Sequence, residues 1–320
     1  MFGACLIAVF LFLAIFLLWP VLVYFVFRVF LCKRDDLKKA GEWTIITGAT
    51  DGIGRAFAEL LAKEGLNVFL ISRTEAKLLA VAADLEKEYN VKTKIFVADF
   101  AKVIVSRYCS TNFSYDQLQS EIEGLSSISC LINNVGLSYP YPDALSTSPF
   151  LTPSFCQEVI TVNVTALTKL TRIILPKMIN DPLPVHGVHR YVINMGSLSG
   201  LLTIPYLTVY GATKAYIYSF TKAMAVELKD TCVRVQMFAP SFVSTKMSGI
   251  KRASIGVPSA ETYVNSALSM IGVEVIGAGY FVHALIWQFS YLIPSRLFSS
   301  YMAKRMLRAR ERHLRKQKAN

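Results

Sequence analysis

The chain has 320 residues, 53% of them apolar, and a formal net charge of +12. That length allows one domain of roughly 250 residues with appendages, and the apolar fraction leads us to expect a membrane component. Residues 304–318 hold eight Lys/Arg against one Glu and 28–39 five against two Asp, so the basicity flanks apolar segments, which fits a membrane surface and argues against a nucleic-acid partner.

Residues 2–27 are uncharged and mostly apolar, long enough to cross a bilayer at about 20 residues per span. Pro20 predicts a kink, while Trp19 and Tyr24 suit a membrane interface. A cleaved signal peptide is the rival reading. No basic segment precedes the run, the run is too long for one, and no small-x-small cleavage site follows. We therefore expect a transmembrane anchor within 1–32 and a basic linker over 33–41. Arg28, Lys33, Arg34, Lys38 and Lys39 would hold the rest of the chain on the cytosolic side.

From residue 42 short β-rich runs alternate with helical stretches. Strands are predicted at WTIIT (43–47), NVFLIS (67–72), KIFVAD (94–99), SCLINN (129–134), YVINM (191–195) and VRVQMFA (233–239), with amphipathic helices such as 54–64 between them. Apolar strands separated by helices imply an α/β fold, a doubly wound parallel sheet covered on both faces. This predicts a catalytic domain over 42–272. The polar stretch 103–129 reads as a helix with loops, and 180–189 as an exposed loop. His186 and His189 within it have no clustered partners, so a surface loop is preferred to a metal site and no metal is expected. The six cysteines (5, 32, 109, 130, 156, 232) show no Cys-x-x-Cys spacing, which fits a reducing compartment.

Residues 273–293 are apolar but contain Glu274, His283 and Gln288. They read as a sheet edge, with GYFVHAL (279–285) as a last strand, plus a helix lying on the membrane; further spans are the alternative. The remainder to 320 is a basic tail, and KQKAN at its end resembles a dilysine retrieval signal of endoplasmic-reticulum membrane proteins.

Three clusters carry chemistry. TGATDGIG (47–54) follows the first strand and opens a helix. Gly48, Gly52 and Gly54, with Thr50, Asp51 and Ile53 between them, suit a tight turn and a pyrophosphate at a helix N-terminus. The second strand ends at Ser72-Arg73-Thr74 with no acidic residue, so Arg73 is placed to pair with a ribose 2′-phosphate and NADP(H) is preferred. Asp99 ends the third strand, where it either accepts from an adenine amino group or caps the next turn. Asn133 and Asn134 of INNVG (132–136) can bridge strand ends, and Gly136 leaves room for a cofactor. The last cluster is Ser197, Tyr210 and Lys214. Tyr210 and Lys214 share a helix face, and an ammonium beside a phenol is expected to lower the phenol's pKa and make it a proton donor near neutrality.

These residues, with Asn163, occur in the order found in the short-chain dehydrogenase/reductase family, which the chain resembles from about 42 to 250. The resemblance implies a Rossmann-type fold, with Ser197 polarising a substrate carbonyl, Tyr210 protonating it, Lys214 bonding the nicotinamide ribose and Asn163 holding a relay water. Val243 and Thr245 match the segment that meets the nicotinamide amide. The family commonly has glycine after the position of Pro240, whereas this chain has Ser241. ATDGIG, SRT, INNVG and FVSTKMS (242–248) are closer to the family's very-long-chain 3-oxoacyl-CoA reductase and 17β-hydroxysteroid dehydrogenase branch. That branch implies an acyl-CoA or keto-steroid substrate, a place in fatty-acid elongation alongside its other enzymes, an endoplasmic-reticulum membrane and a homo-oligomer. A retinoid ketone, or a tethered NADP-binding scaffold without turnover, are the other readings. Asn112 and Asn163 begin nominal glycosylation sequons, which a cytosolic domain would leave unmodified.

Overall fold

Every interior strand is apolar on both faces, which only a sheet buried on both sides can accommodate. The computed structural model describes residues 2–31, 34–102 and 114–319. Strands β1 (Trp43–Thr47), β2 (Asn67–Ser72), β3 (Thr93–Val97), β4 (Ile128–Asn133), β5 (Arg190–Met195), β6 (Val233–Phe238) and β7 (Ile276–Gly277) form one sheet in the order β3-β2-β1-β4-β5-β6-β7. All pairings are parallel. The strand order reverses between β1 and β4, so a crevice opens there at the carboxyl ends of the strands.

One face is covered by α3 (Gly52–Lys63), α4 (Glu75–Tyr89) and α9 (Ala260–Ser269), through Phe57, Leu61, Leu78 and Val264. The other is covered by α5 (Tyr115–Glu123), α7 (Ala166–Asn180) and α8 (Thr208–Glu227), through Leu118, Ile122, Leu170, Ile174 and Met224. A turn of π-helix, Thr161–Thr165, joins α6 (Pro153–Ile160) to α7. The stretch Pro153–Asn180 has the length and hydropathy to cross a membrane, but its apolar stripe of Val159, Ala166, Leu170 and Ile174 belongs to the core. The short α2 (Leu37–Ala40) also packs inward. Leu37 and Ala40 are fully buried, and Ser129 Oγ donates to the Leu37 carbonyl at 2.5 Å.

The six expected strands are all present, two with the predicted bounds and four with one or both ends shifted by one or two residues. The predicted helix at 54–64 starts two residues earlier, at Gly52. Residues 103–113 and Asn112 lie outside the described residues, as do Cys32 and Cys109; α5 fills part of the expected 103–129 helix. The 180–189 loop ends on a tether, because the His189 amide and Nδ1 both meet Asp35 Oδ2, at 3.1 and 2.9 Å. Among the described residues no His/Cys/Asp/Glu group can hold a metal.

The expected strand at 279–285 is a correction. The sheet gains only the two residues of β7 just before it, and the segment itself forms the start of α10 (Phe281–Ser290). Gly279 at φ +74° ends the extended run, and a Cβ there would sit 2.6 Å from the Tyr263 hydroxyl. At ten residues α10 spans about 15 Å, too short for a bilayer, so the alternative of further spans is not met. It serves instead as a seat for the N-terminal helix α1 (Phe2–Val21), which runs into a π-helical segment, Leu22–Leu31. Phe281 lies edge-on to Tyr24 and Phe25, at 5.8 and 5.0 Å. Pro20 has no N–H to give the carbonyl four residues back, and Gln288 Nε2 donates to that Phe16 carbonyl at 2.9 Å. Elsewhere α1 leaves Ile7, Phe10 and Phe12 exposed by more than 60%.

Candidate active site

The glycine turn after β1 is built by contacts that tolerate no side chain. Gly48 and Gly52 hold φ of +65° and +54°, the left-handed region that favours glycine. At Gly54 a Cβ would lie 2.2 Å from the Gly48 carbonyl and 2.4 Å from Asn134 Nδ2. Asn134 Nδ2 donates to the Thr47 carbonyl at 2.9 Å, so the predicted bridge between the ends of β1 and β4 is present. Asp51 caps α3 by backbone position without a side-chain hydrogen bond, leaving the first-turn N–H groups for an anion. A groove of about 690 Å³ opens at this point, bounded by Asp51, Gly52, Arg55, Thr245 and Lys246. Lys246 Nζ reaches Asp51 Oδ2 at 2.5 Å across it.

Arg73 is exposed beyond the end of β2, next to Ser72, whose Oγ bonds Thr50 Oγ1 at 3.0 Å. A guanidinium exposed at this strand end can take a phosphate. Asp99 accepts from the Ala101 amide at 3.2 Å, the turn-capping alternative for that residue. Val243 is buried and Thr245 exchanges hydrogen bonds with Ser248. The Thr245 methyl would be 3.2 Å from a Cβ on Gly52. The segment 241–250 therefore closes against the glycine turn, as a dinucleotide clamp requires. These residues fit a nicotinamide dinucleotide: a helix end free of a side-chain cap for the pyrophosphate, a turn so closely packed that it requires glycine, and an exposed arginine after the second strand.

Ser197, Tyr210, Lys214 and Asn163 come together at the carboxyl edge. Gly200 explains how. A Cβ there would lie 2.4 Å from the Lys214 carbonyl carbon, so only glycine lets the 3-10 turn Leu198–Gly200 settle on α8 and bring Ser197 to the Tyr210 hydroxyl. Lys214 is buried, donates from Nζ to the Met195 carbonyl at 2.9 Å and stands 5.7 Å from the Tyr210 ring centre. Asn163 is buried in the π-turn. Its Oδ1 accepts from the Leu137 amide at 2.7 Å, and its Nδ2 donates to the Leu137 carbonyl at 2.9 Å and to Thr213 Oγ1 at 3.0 Å. Such a side chain is unavailable to a sugar, so the sequon at Asn163 is buried structure.

The expected lowering of the Tyr210 pKa is not what the geometry gives. Burial pushes the phenol up to about 12, and the hydrogen bond with Ser197 opposes this only in part. Burial also brings Lys214 down to about 8. With its ammonium turned to Met195, desolvation outweighs the attraction the helix spacing suggested. The arrangement can still place a neutral phenol O–H, polarised from Ser197 and backed by a cation, against a carbonyl oxygen.

Three sets of contacts join residues far apart in the sequence. Asn133 Nδ2 donates to Thr171 Oγ1 and Asn194 Oδ1, and Asn194 Nδ2 donates to Thr221 Oγ1, a buried polar ladder from β4 through β5 to α8. Tyr139 O–H accepts from the Val209 amide at 2.9 Å, capping the first turn of α8. His283 of α10, fully buried, accepts at Nδ1 from the Ser241 amide at 3.3 Å. This holds the loop where serine replaces the family's glycine. Of these residues Asn133 stands in the INNVG run singled out above, and Asn194, a polar residue inside an apolar strand, could have been flagged from sequence.

The short chain dehydrogenase family model matches residues 42–255. A zebrafish (Danio rerio) very-long-chain 3-oxoacyl-CoA reductase-B is 37% identical over 295 residues, 91% of this chain and 89% of that protein. The very-long-chain 3-oxoacyl-CoA reductase of Rattus norvegicus is 36% identical, covering 88% and 85%. Among solved structures, a short-chain dehydrogenase from Sphingobium yanoikuyae in complex with NADPH shares 26% identity at a TM-score of 0.62, covering 73% of this chain and 86% of that one. A 7β-hydroxysteroid dehydrogenase shares 26% at 0.67, covering 83% and 98%.

Proposed function

The chain belongs to the short-chain dehydrogenase family and is an oxidoreductase, and from that premise we propose that it reduces the 3-keto group of long- and very-long-chain 3-oxoacyl-CoA with NADPH. The observation that carries this is the assembly of Ser197, Tyr210 and Lys214 at one strand edge in a chain 37% identical to a very-long-chain 3-oxoacyl-CoA reductase along nine-tenths of its length. The 47–54 turn, Arg73 and Val243–Thr245 would hold NADPH, which would supply the hydride, while Asp99 caps the turn after the third strand. Ser197 donates to the substrate's 3-oxo oxygen and fixes it beside Tyr210. Tyr210 gives its phenolic proton to that oxygen as the alcohol forms. Lys214 supports the phenolate left behind and orients the nicotinamide ribose. Because the Asn163 side chain is committed to Leu137 and Thr213, a relay water held by Asn163 would meet its backbone rather than its side chain.

The exposed apolar flank of α1 supports a bilayer anchor within 1–32, with 33–41 leading into a catalytic domain over 42–272 and a membrane-apposed 273–320. A cytosol-facing position on the endoplasmic reticulum, assembly with other elongation enzymes and a homo-oligomer belong to the same reading. A lipid thioester that partitions into the bilayer would meet the cleft there. The likeness to a hydroxysteroid dehydrogenase favours a keto-steroid as second substrate class, with lower identity behind it. Turnover of a 3-oxoacyl-CoA of long chain against estrone, with NADPH and full-length protein, separates the two. Tyr210→Phe is expected to abolish reduction while NADPH binding persists; a variant that still reduces the ketone refutes the assigned proton donor.

A further inference from the structure

The last helix, α11 (Ser295–Ala319), does not trail into solvent. Arg310 Nε lies 2.8 Å from Oδ1 of Asp143, a carboxylate only 3% exposed. The His313 ring packs on Tyr141 at 4.7 Å, and Arg305 stands 5.4 Å over the Phe242 ring. Met302 and Met306 of this helix are buried. Asp143 and Tyr141 belong to the loop after β4, and Phe242 to the loop after β6. The first loop borders the start of α8, which carries Tyr210, and the second receives the Leu198 amide at the Pro240 carbonyl beside Ser197.

The first loop is bound to the catalytic helix as well. The Asp143 amide donates to the Tyr206 carbonyl at 3.0 Å, and Tyr139 takes the Val209 amide at the start of α8. Tyr206 holds a left-handed φ of +68°, a conformation that persists only where its surroundings enforce it. Where Tyr141 meets α11, the loop and the start of α6 form an aromatic wall. Tyr141 meets Phe150 at 4.8 Å, and Phe150 meets Tyr139 and Phe155, each at 5.9 Å. Burying one carboxylate is costly unless a cation meets it, and such pairs fix register more than they add stability. Methionine, unbranched and polarisable, suits a surface that must repack around chains of different shape.

We propose that α11 is the roof of the substrate cleft, held in register by the Asp143–Arg310 pair, and that it grips a long alkyl chain between Met302/Met306 and the aromatic wall of Tyr139, Tyr141, Phe150 and Phe155. Asp143 and Arg310 are positioning residues, acting on the chain of the substrate and not on its carbonyl. The proposal rests on the acyl-CoA reading above.

The test uses the full chain in detergent with NADPH, comparing a long-chain 3-oxoacyl-CoA with 3-oxobutanoyl-CoA. Arg310→Met, at a site 37% exposed and so tolerant of change, is expected to raise KM for the long substrate at least about tenfold. Its kcat and its KM for the short substrate should stay within about twofold. Asp143→Asn should act alike, the double variant no worse than the worse single, and Arg310→Lys should recover part of the loss. Equal KM changes for both substrates, no change for either, or additive effects overturn the roof. Amide hydrogen exchange across α11 needs no turnover and decides the latch separately. Arg310→Met should speed it at least about tenfold, and unchanged exchange refutes the latch even if Asp143→Asn fails to fold. Should the unaltered enzyme reduce estrone and no acyl-CoA of any length, the acyl-CoA reading fails, while the exchange result still stands for or against the latch.

Discussion

His283 is the residue whose burial has the most calculable consequence. It sits between Tyr263 and Tyr280, with ring centres 5.8 and 5.1 Å away, and takes the Ser241 amide at Nδ1. Desolvation lowers it from 6.5 to about 4, so at neutral pH it is an uncharged acceptor. Below pH 6.5 the unfolded chain binds a proton at this site that the folded one refuses. Its contribution to stability is therefore whole at pH 7 and lost as pH falls toward 4. For those two values the loss between pH 7 and pH 5 is about 2 kcal/mol, out of about 3.4 kcal/mol for the complete shift. His283→Asn keeps an acceptor for the Ser241 amide but cannot titrate. The variant should be less stable at pH 7, by about 1–2 kcal/mol for the packing lost, and should close that gap by pH 5. Urea unfolding of both proteins at the two pH values, read by tryptophan fluorescence, measures it. A gap that stays constant between pH 7 and pH 5 refutes the assignment of a neutral, desolvated histidine behind the cofactor loop.

Other outcomes follow from single contacts. Arg73→Asp should raise KM for NADPH by about 10–100-fold, the worth of a bidentate phosphate contact, and lower that for NADH; initial rates with each cofactor decide it. Gly200→Ala forces a Cβ to 2.4 Å from backbone of α8, an overpacking that should cost about 1–3 kcal/mol. By separating Ser197 from Tyr210 it should also lower kcat more than it raises the KM for NADPH, and thermal unfolding with steady-state kinetics reads both. Lys246→Ala removes an exposed pair with Asp51, so stability should move by less than about 0.5 kcal/mol. Stopped-flow displacement should nevertheless show faster NADPH release, because the clamp across the groove is gone.

What the sequence disclosed and what it hid divide along one physical line. The six main strands, the glycine turn and the Tyr210–Lys214 face are set by spacing within a few residues, so period and turn chemistry suffice to find them. The short β7 has too few residues to show a period, and the apolar residues after it serve a helix equally well. Asn133 and Asn194 are 61 positions apart, His283 and Ser241 are 42 apart, and Arg310 and Asp143 are further still. No local pattern announces such pairs, because the fold alone makes them neighbours. The Tyr210 pKa fails for the same reason: helix spacing reports the lysine next door but not the solvent excluded around both groups. The carbonyl chemistry thus lies in short-range motifs at the sheet's carboxyl edge, where the resemblance to a family is strongest. The side proposed to meet the rest of the substrate, α11 and the loops it pins, is assembled by contacts with no motif. A family's reaction can therefore be read from its sequence while its substrate cannot. Variants in the pinned loops and in α11, rather than in the catalytic set, are where substrate preference should change.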